Sequence, residues 1–201
     1  KIDFSLIKPR LGFIMNSYAL DLSRTFSGYA DKLIVAPLFG FAILGNYQLG
    51  IQVLSIIAIL PGIVYQYILP RDSSGDSNKK LKKITVAVSF ILAILGIILA
   101  PIILPELFPK FIEAVEVVQI ISISVIPSTI NLMYISKFLG NELSKIVLIG
   151  SGIFLSVQIV SILILGELLG VNGVAIALVL GASAEAIFLV TVNKVIYKLT
   201  D

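Results

Sequence analysis

The sequence predicts an all-α integral membrane protein in which six transmembrane helices pack into one bundle. Its mean hydropathy is +1.06, and 58% of its 201 residues are apolar while 13% are charged, which is about half the charged share of a typical soluble domain. Apolar segments of roughly 20 residues, the length that a helix needs to cross a bilayer, recur along the chain. Basic residues are concentrated in alternate connecting segments. These three observations exclude a soluble globular fold.

Two residue types that carry much enzyme chemistry are absent from the sequence. The chain has neither cysteine nor histidine, so it has no disulfide, no thiolate or imidazole metal ligand and no Ser-His-Asp arrangement. We therefore expect no catalytic residues, no metal and no cofactor.

The first predicted span, residues 11–36, carries charged residues although it is long enough to cross the bilayer. On a helix that turns by about 100° per residue, one stripe at steps of three and four contains Ser17, Asp21, Arg24, Gly28 and Asp31. A charged residue at the bilayer centre costs roughly 2.5–3.5 kcal/mol, whereas a Leu or Ile favours insertion by only about 0.3–0.6 kcal/mol. We predict that this stripe faces protein, water or a ligand and forms the candidate substrate-binding surface.

Structural interpretations compete with this prediction. Asp21 and Arg24 lie one turn apart and can form a clip that holds the bundle together without contacting a substrate. Asp31 and Lys32 lie nearer the outer end of the span, where both side chains can reach the membrane interface.

The second span, residues 47–69, follows an uncharged turn at residues 37–46 and contains a predicted kink at Pro61 and Gly62. Its polar residues form a second stripe that consists of Gln48, Gln52, Ser55 and Gln66. The hydrophilic segment 71–83 follows as a loop that is too short to hold a domain.

Three further spans are predicted at residues 84–104, 111–138 and 146–165. The first of these is almost entirely apolar, so we expect it to face lipid. The second has a polar face that contains Glu113, Glu116, Ser124, Ser128 and Asn131. For the two glutamates, simple solvation near the outer surface is the favoured interpretation.

The sixth span, residues 171–192, has a ridge of small residues of the kind that lets helix backbones approach closely. The ridge consists of Gly170, Gly173, Ala177, Gly181 and Ala184. Glu185 lies beside it, deep in the span. A carboxyl at this depth either exchanges an ion or stays neutral and bonded within the helix packing.

These patterns yield a set of candidate site residues. The candidates for lining a substrate cavity are Ser17, Asp21, Arg24, Asp31, Gln52 and Asn131. The candidates for ion coupling are Asp21 and Glu185.

The basic residues also predict the topology. When connecting segments are assigned alternately to the two sides of the membrane, Lys110 lies on one side and twelve basic residues lie on the other, namely Lys1, Lys8, Arg10, Arg71, Lys79, Lys80, Lys82, Lys83, Lys137, Lys145, Lys194 and Lys198. Cytoplasmic loops are enriched in Lys and Arg, so both ends of the chain are predicted to be cytoplasmic. Topology also accounts for the basic run around Lys80, which otherwise resembles a patch for acidic lipid or nucleic acid. We expect no nucleic-acid partner.

Residues 1–10 are predicted to be a cytoplasmic connector. The chain starts at Lys1 without a methionine or a leader segment. We therefore expect it to be a fragment of a longer protein.

Two stretches resemble a known transporter family. These are ADKLIVAPLFGFAILGNYQLG at residues 30–50 and GVNGVAIALVLGASAEA at residues 170–186, separated by a proline after the second span and one basic loop. Together they resemble the carboxy-terminal lobe of the multidrug/oligosaccharidyl-lipid/polysaccharide exporter superfamily, in particular its Wzx-like polysaccharide flippases.

The resemblance implies a fold and a function. In this family two six-helix lobes form a V around a central cavity, so the six spans would be helices seven to twelve and an amino-terminal lobe would be their partner. It implies a multi-pass cell-membrane protein that moves lipid-linked oligosaccharide by alternating access, driven by a proton or sodium gradient. Carried over to this sequence, Arg24 would contact the pyrophosphate of the substrate and Asp21 would orient Arg24.

Two alternatives remain open. A cation-coupled multidrug exporter of the same fold would have acidic and aromatic groups, rather than cations, at its cavity. An integral membrane enzyme acting on lipid-linked substrates would need catalytic carboxylates or histidines in sizeable interfacial loops, and the longest loop here is residues 71–83. We therefore expect a transporter rather than an enzyme.

Overall fold

A computed structural model describes residues 11–76 and 78–198 of the chain; the side chains of residues 13–14, 16–17, 20–21, 23–28, 30 and 197–198 lie outside that description. The described residues form seven α-helices and no strand. The helices are α1 (Leu11–Ile57), α2 (Ile59–Ser73), α3 (Lys79–Leu107), α4 (Ala114–Ile123), α5 (Val125–Gly140), α6 (Ser144–Leu169) and α7 (Val171–Lys198).

Five helical segments of the described chain are long and apolar enough to cross a membrane. By length and composition they are Asp31–Ile57, which Gly40 interrupts, Lys79–Leu107, Ala114–Gly140, Ser144–Leu169 and Val171–Ile196. This finding confirms the all-helical class and agrees with a multi-pass membrane protein.

The first two predicted spans are joined in the structure by a single non-helical residue. Gly40 has φ +87° and ψ 167°, whereas the residues on either side of it are helical, including Pro37. The structure thus differs from the predicted ten-residue turn at 37–46. Only glycine readily adopts this backbone conformation, because any Cβ would clash with the neighbouring backbone. We call residues 11–39 the first limb of α1 and residues 41–57 its second limb.

The chain folds back on itself at Gly40. Asp31 and Tyr47 are 16 residues apart, yet their side chains are joined by a hydrogen bond of 2.8 Å. In a straight helix the Cα atoms of two such residues would be separated by about 24 Å, at 1.5 Å per residue, which is beyond the reach of the two side chains. The two limbs of α1 therefore run beside each other near the reversal.

Two other helix interruptions lie three residues before a proline. Ala58 separates α1 from α2 before Pro61, and Ser124 separates α4 from α5 before Pro127. A proline has no N–H and its ring crowds the carbonyl of the preceding turn, so the regular hydrogen-bond ladder is broken there. The helical path continues through both sites, because Ala58 and Ser124 keep helical backbone angles. Their N–H groups donate to the Leu54 and Ile121 carbonyls at 2.8 and 2.9 Å. This agrees with the predicted kink in the second span.

The tightest packing joins α6 and α7. A Cβ placed on Gly173 would overlap the backbone carbonyl of Leu165, and one on Gly181 would lie 3.1 Å from the Phe154 carbonyl oxygen. The predicted small-residue ridge is therefore the contact surface with α6 at these positions. Gly170 is an exception, since its φ of +60° places it in the turn between the two helices.

The core of the bundle has two main parts. Val35 and Tyr47 from the two limbs of α1 pack with buried residues of α4, α6 and α7. Nearer the other end, Phe138, Val147 and Leu189 join α5, α6 and α7. By contrast, α3 contributes few buried residues and exposes most of its large aliphatic side chains, which fits the prediction that it faces lipid.

Candidate functional site

The first limb of α1 contains the predicted substrate-binding stripe. The side chains of Ser17, Asp21 and Arg24 lie outside the described residues, so their predicted roles stay predictions. Asp31, the fourth candidate of this stripe, is 6% exposed. Its side chain therefore points into the bundle rather than toward the surface.

Both carboxylate oxygens of Asp31 are hydrogen-bonded. Its Oδ2 accepts from the Tyr47 hydroxyl at 2.8 Å, and its Oδ1 accepts from the Lys32 backbone N–H at 2.8 Å. Tyr47 is completely buried, and the Gln158 side chain of α6, which is also buried, lies close to its hydroxyl. This group, which we call the Asp31 cluster, links the two limbs of α1 to α6.

A second buried polar group joins two residues that the sequence proposed separately. The Asn131 amide donates to Glu185 Oε2 at 2.9 Å and to the Ala182 carbonyl at 3.1 Å. Both side chains are buried, and they connect α5 to α7. The Asn131 amide oxygen is also buried, with no hydrogen-bond partner among the described residues. A carboxyl group beside such an acceptor is a suitable place for a proton or a small cation.

Gln52 does not join either buried group. It is exposed, as are Ser55 and Gln66 of the same predicted stripe, so this stripe lies on the outer surface of the bundle. Gln48 is half-buried, and its amide oxygen has no hydrogen-bond partner among the described residues. Three of the four residues of this stripe therefore lie on the surface of the bundle, and the role of Gln52 in lining a cavity stays a prediction.

The two predicted outer glutamates also have specific partners. Glu113 accepts from the Asn46 amide at 3.0 Å, and Glu116 accepts from the Asn172 amide at 2.7 Å. Both glutamates are exposed, so they remain solvated as expected. They also tie the start of α4 to α1 and α7.

The sequence did not indicate a buried ion pair at the opposite end of the bundle. Lys82 and Asp72 are 2.5 Å apart, and Asp72 Oδ2 also accepts from the Ser136 hydroxyl at 2.6 Å. The Asp72 side chain is only 2% exposed. Segment 71–83 was expected to be a solvated loop, but α2 runs to Ser73 and carries Asp72 against α5. Since Asp72 and Ser136 are 64 residues apart, local sequence pattern gives no signal for their contact.

The described part of the chain contains no group of three or more acidic side chains that could hold a metal ion. Besides Asp72, the interior of the described part holds two separate carboxylates: Asp31, which accepts from the Tyr47 hydroxyl, and Glu185, which accepts from the Asn131 amide. Such groups can bind or release an ion.

Comparisons with protein-family models, with curated proteins and with solved structures gave no match to this chain. The likeness to the exporter superfamily is therefore carried by the sequence motifs alone.

Proposed function

We propose that this chain is a six-helix lobe of an ion-coupled membrane transporter that moves lipid-linked oligosaccharide across the cell membrane. The observation that carries the proposal is the pairing of Glu185 with Asn131 inside an apolar helical bundle. Ionisable residues at such positions are costly to bury, and in transporters they mark ion and substrate pathways. The substrate class comes from the sequence resemblance described above.

In this proposal Glu185 is the coupling group. Binding of a proton or sodium ion would neutralise its carboxylate, which accepts a hydrogen bond from the Asn131 amide. A change of charge at the contact between α5 and α7 alters the packing preference of the two helices. Rocking of this lobe against a partner lobe would then alternate access to the substrate cavity.

The short connections favour transport over enzymatic chemistry. The described helices α3 to α7 are joined by segments of at most six residues, the longest being 108–113. Enzymes that act on lipid-linked substrates need a larger catalytic surface at the interface than these turns supply. We therefore propose that the protein performs no covalent chemistry.

The coupling role can be tested by transport measurements on the intact protein in proteoliposomes. Glu185→Gln keeps an amide that can bond to Asn131 but removes the ionisable group. We expect it to lower gradient-driven movement of a lipid-linked oligosaccharide by about tenfold or more, since the ion then has no charged ligand. The matched control is Glu167→Gln, which removes an exposed acid at the end of α6. Equal rates for wild type and Glu185→Gln would contradict the proposal.

A second candidate function is cation-coupled export of drugs. The Asp31 cluster favours it, because a buried carboxylate beside a buried tyrosine is the acidic and aromatic combination that a cavity for organic cations uses. The two functions make different predictions for Arg24. Arg24→Ala should leave drug efflux intact in an exporter, whereas it should abolish oligosaccharide movement in a flippase in which Arg24 contacts the pyrophosphate.

A further inference from the structure

A groove lies between α3 and α7 at the lysine-rich end of the bundle. Both helices pack on α5, which forms the floor of the groove, and they do not pack extensively on each other over the described residues. The groove has a volume of about 440 Å³, within the range of roughly 300–1,000 Å³ that is typical of ligand pockets. The sequence did not indicate this groove, because its walls come from three helices that are distant along the chain.

The mouth of the groove carries an excess of positive charge. Its lining includes four lysines, namely Lys79, Lys82, Lys83 and Lys137. The Lys137 ammonium group lies within electrostatic range of Lys82 and Lys79, which repel it, and of the Asp72 carboxylate, which attracts it. The Asp72 carboxylate offsets one of these charges through its contact with Lys82. A bound anion would relieve the remaining repulsion.

The deeper wall of the groove is apolar. Each of the three helices lines the groove with one polar and one apolar residue about one turn apart, and the apolar residue lies nearer to the middle of the helical span. The pairs are Lys82 and Val86 on α3, Lys137 and Met133 on α5, and Asn193 and Val190 on α7. Since these helices are long enough to span a membrane, the apolar wall lies on the membrane side of the lysines. The groove is therefore complementary to an amphiphile with an anionic head.

We propose that this groove binds an anionic phospholipid from the surrounding bilayer. The phosphate lies among the lysine ammonium groups, where charge-assisted hydrogen bonds hold it, and an acyl chain lies against the apolar wall. Lys137 is already oriented toward the groove by its hydrogen bond of 2.8 Å to Asn193 Oδ1. A soluble phosphate would use the lysines alone and leave the apolar wall without a contact. The proposal does not depend on which substrate the protein transports.

The test compares two triple variants with the same change in net charge. The groove variant combines Lys79→Gln, Lys83→Gln and Lys137→Gln, and it leaves the Asp72–Lys82 pair intact. The control variant combines Lys80→Gln, Lys145→Gln and Lys194→Gln, three exposed lysines that do not line the groove. Intact protein is reconstituted in nanodiscs of phosphatidylcholine mixed with phosphatidylglycerol. The lipids retained after detergent extraction are then counted by native mass spectrometry.

We expect wild type and the control variant to retain phosphatidylglycerol in preference to phosphatidylcholine. In the groove variant the ratio of retained phosphatidylglycerol to phosphatidylcholine should be about tenfold lower. Replacing the same three lysines with arginine should restore it, which separates loss of charge from misfolding. An equal loss in both glutamine variants would overturn the proposal, because it would indicate only diffuse attraction to an anionic surface. Displacement of the lipid by inorganic phosphate alone, or by an acidic peptide, would overturn the assignment of the ligand as a phospholipid.

Discussion

The Tyr47 hydroxyl donates a hydrogen bond of 2.8 Å to the Asp31 carboxylate across a reversal of the chain at Gly40. This contact joins the two limbs of α1, and it places a carboxylate in the interior of an apolar bundle. It also connects two parts of the sequence that were proposed to belong to separate spans. The stability of the fold near the reversal should therefore depend on a small number of residues.

Tyr47→Phe should destabilise the protein by about 1–3 kcal/mol, because the Asp31 carboxylate loses its side-chain donor while it stays buried. The free energy of unfolding can be measured by titration with sodium dodecyl sulfate in mixed micelles. Tyr67→Phe is the matched control, since the Tyr67 side chain is exposed and its ring contact with Arg71 survives in phenylalanine. A loss for Tyr47→Phe no larger than that for Tyr67→Phe would contradict a stabilising role for the contact.

Gly40→Ala should cost about 1–3 kcal/mol through backbone strain alone. Beyond its two chain neighbours, a Cβ at Gly40 would meet no atom within 4 Å, so packing against the rest of the bundle does not contribute. Gly62→Ala is the control, because Gly62 also has open space but has helical backbone angles. Alanine there should stabilise the helix by up to about 1 kcal/mol. The same unfolding titration compares the two, and the prediction is wrong if their effects have the same sign.

Lys82→Met should destabilise the protein by roughly 3–5 kcal/mol, because it leaves the buried Asp72 carboxylate without its cation. The double variant Lys82→Met/Asp72→Asn removes both charges and retains a group that can bond to Ser136. We expect it to recover a large part of the loss. Lys80→Met, at an exposed position of the same helix, should have little effect. Failure of the double variant to recover stability would show that the charge of Asp72 is not the source of the loss.

Gly173→Ala should destabilise the contact between α6 and α7 by about 1–3 kcal/mol or more, because the added methyl group overlaps backbone that cannot rotate away. Gly152→Ala adds the same methyl group on α6 at a position with open space around it. Thermal unfolding followed by circular dichroism should show a lower Tm for the first variant only. Similar Tm values for the two variants would contradict the prediction, because they would mean that α6 and α7 can move apart to accommodate the methyl group without loss of stability.

The sequence by itself determined the membrane class, the approximate positions of the helices and the interruption in the second predicted span. Composition and apolar length indicate spans, because a chain that crosses a bilayer must satisfy its backbone hydrogen bonds within the helix and expose apolar side chains to lipid. Pro61 indicated the interruption at Ala58 through the missing N–H of the proline. The small residues of α7 indicated a close helix contact, because only small side chains permit it.

Only the tertiary structure decided which polar residues meet. Helical periodicity shows which residues share a face, but it does not show which neighbouring helix covers that face. Asp31 and Gln52 were both proposed as cavity residues. Asp31 lies in the interior of the bundle and Gln52 on its surface, and the cavity role of each stays a prediction. Asn131 and Glu185 are 54 residues apart and become partners because α5 packs on α7. Contacts of this kind depend on the fit of side chains between distant helices, which local sequence pattern does not encode.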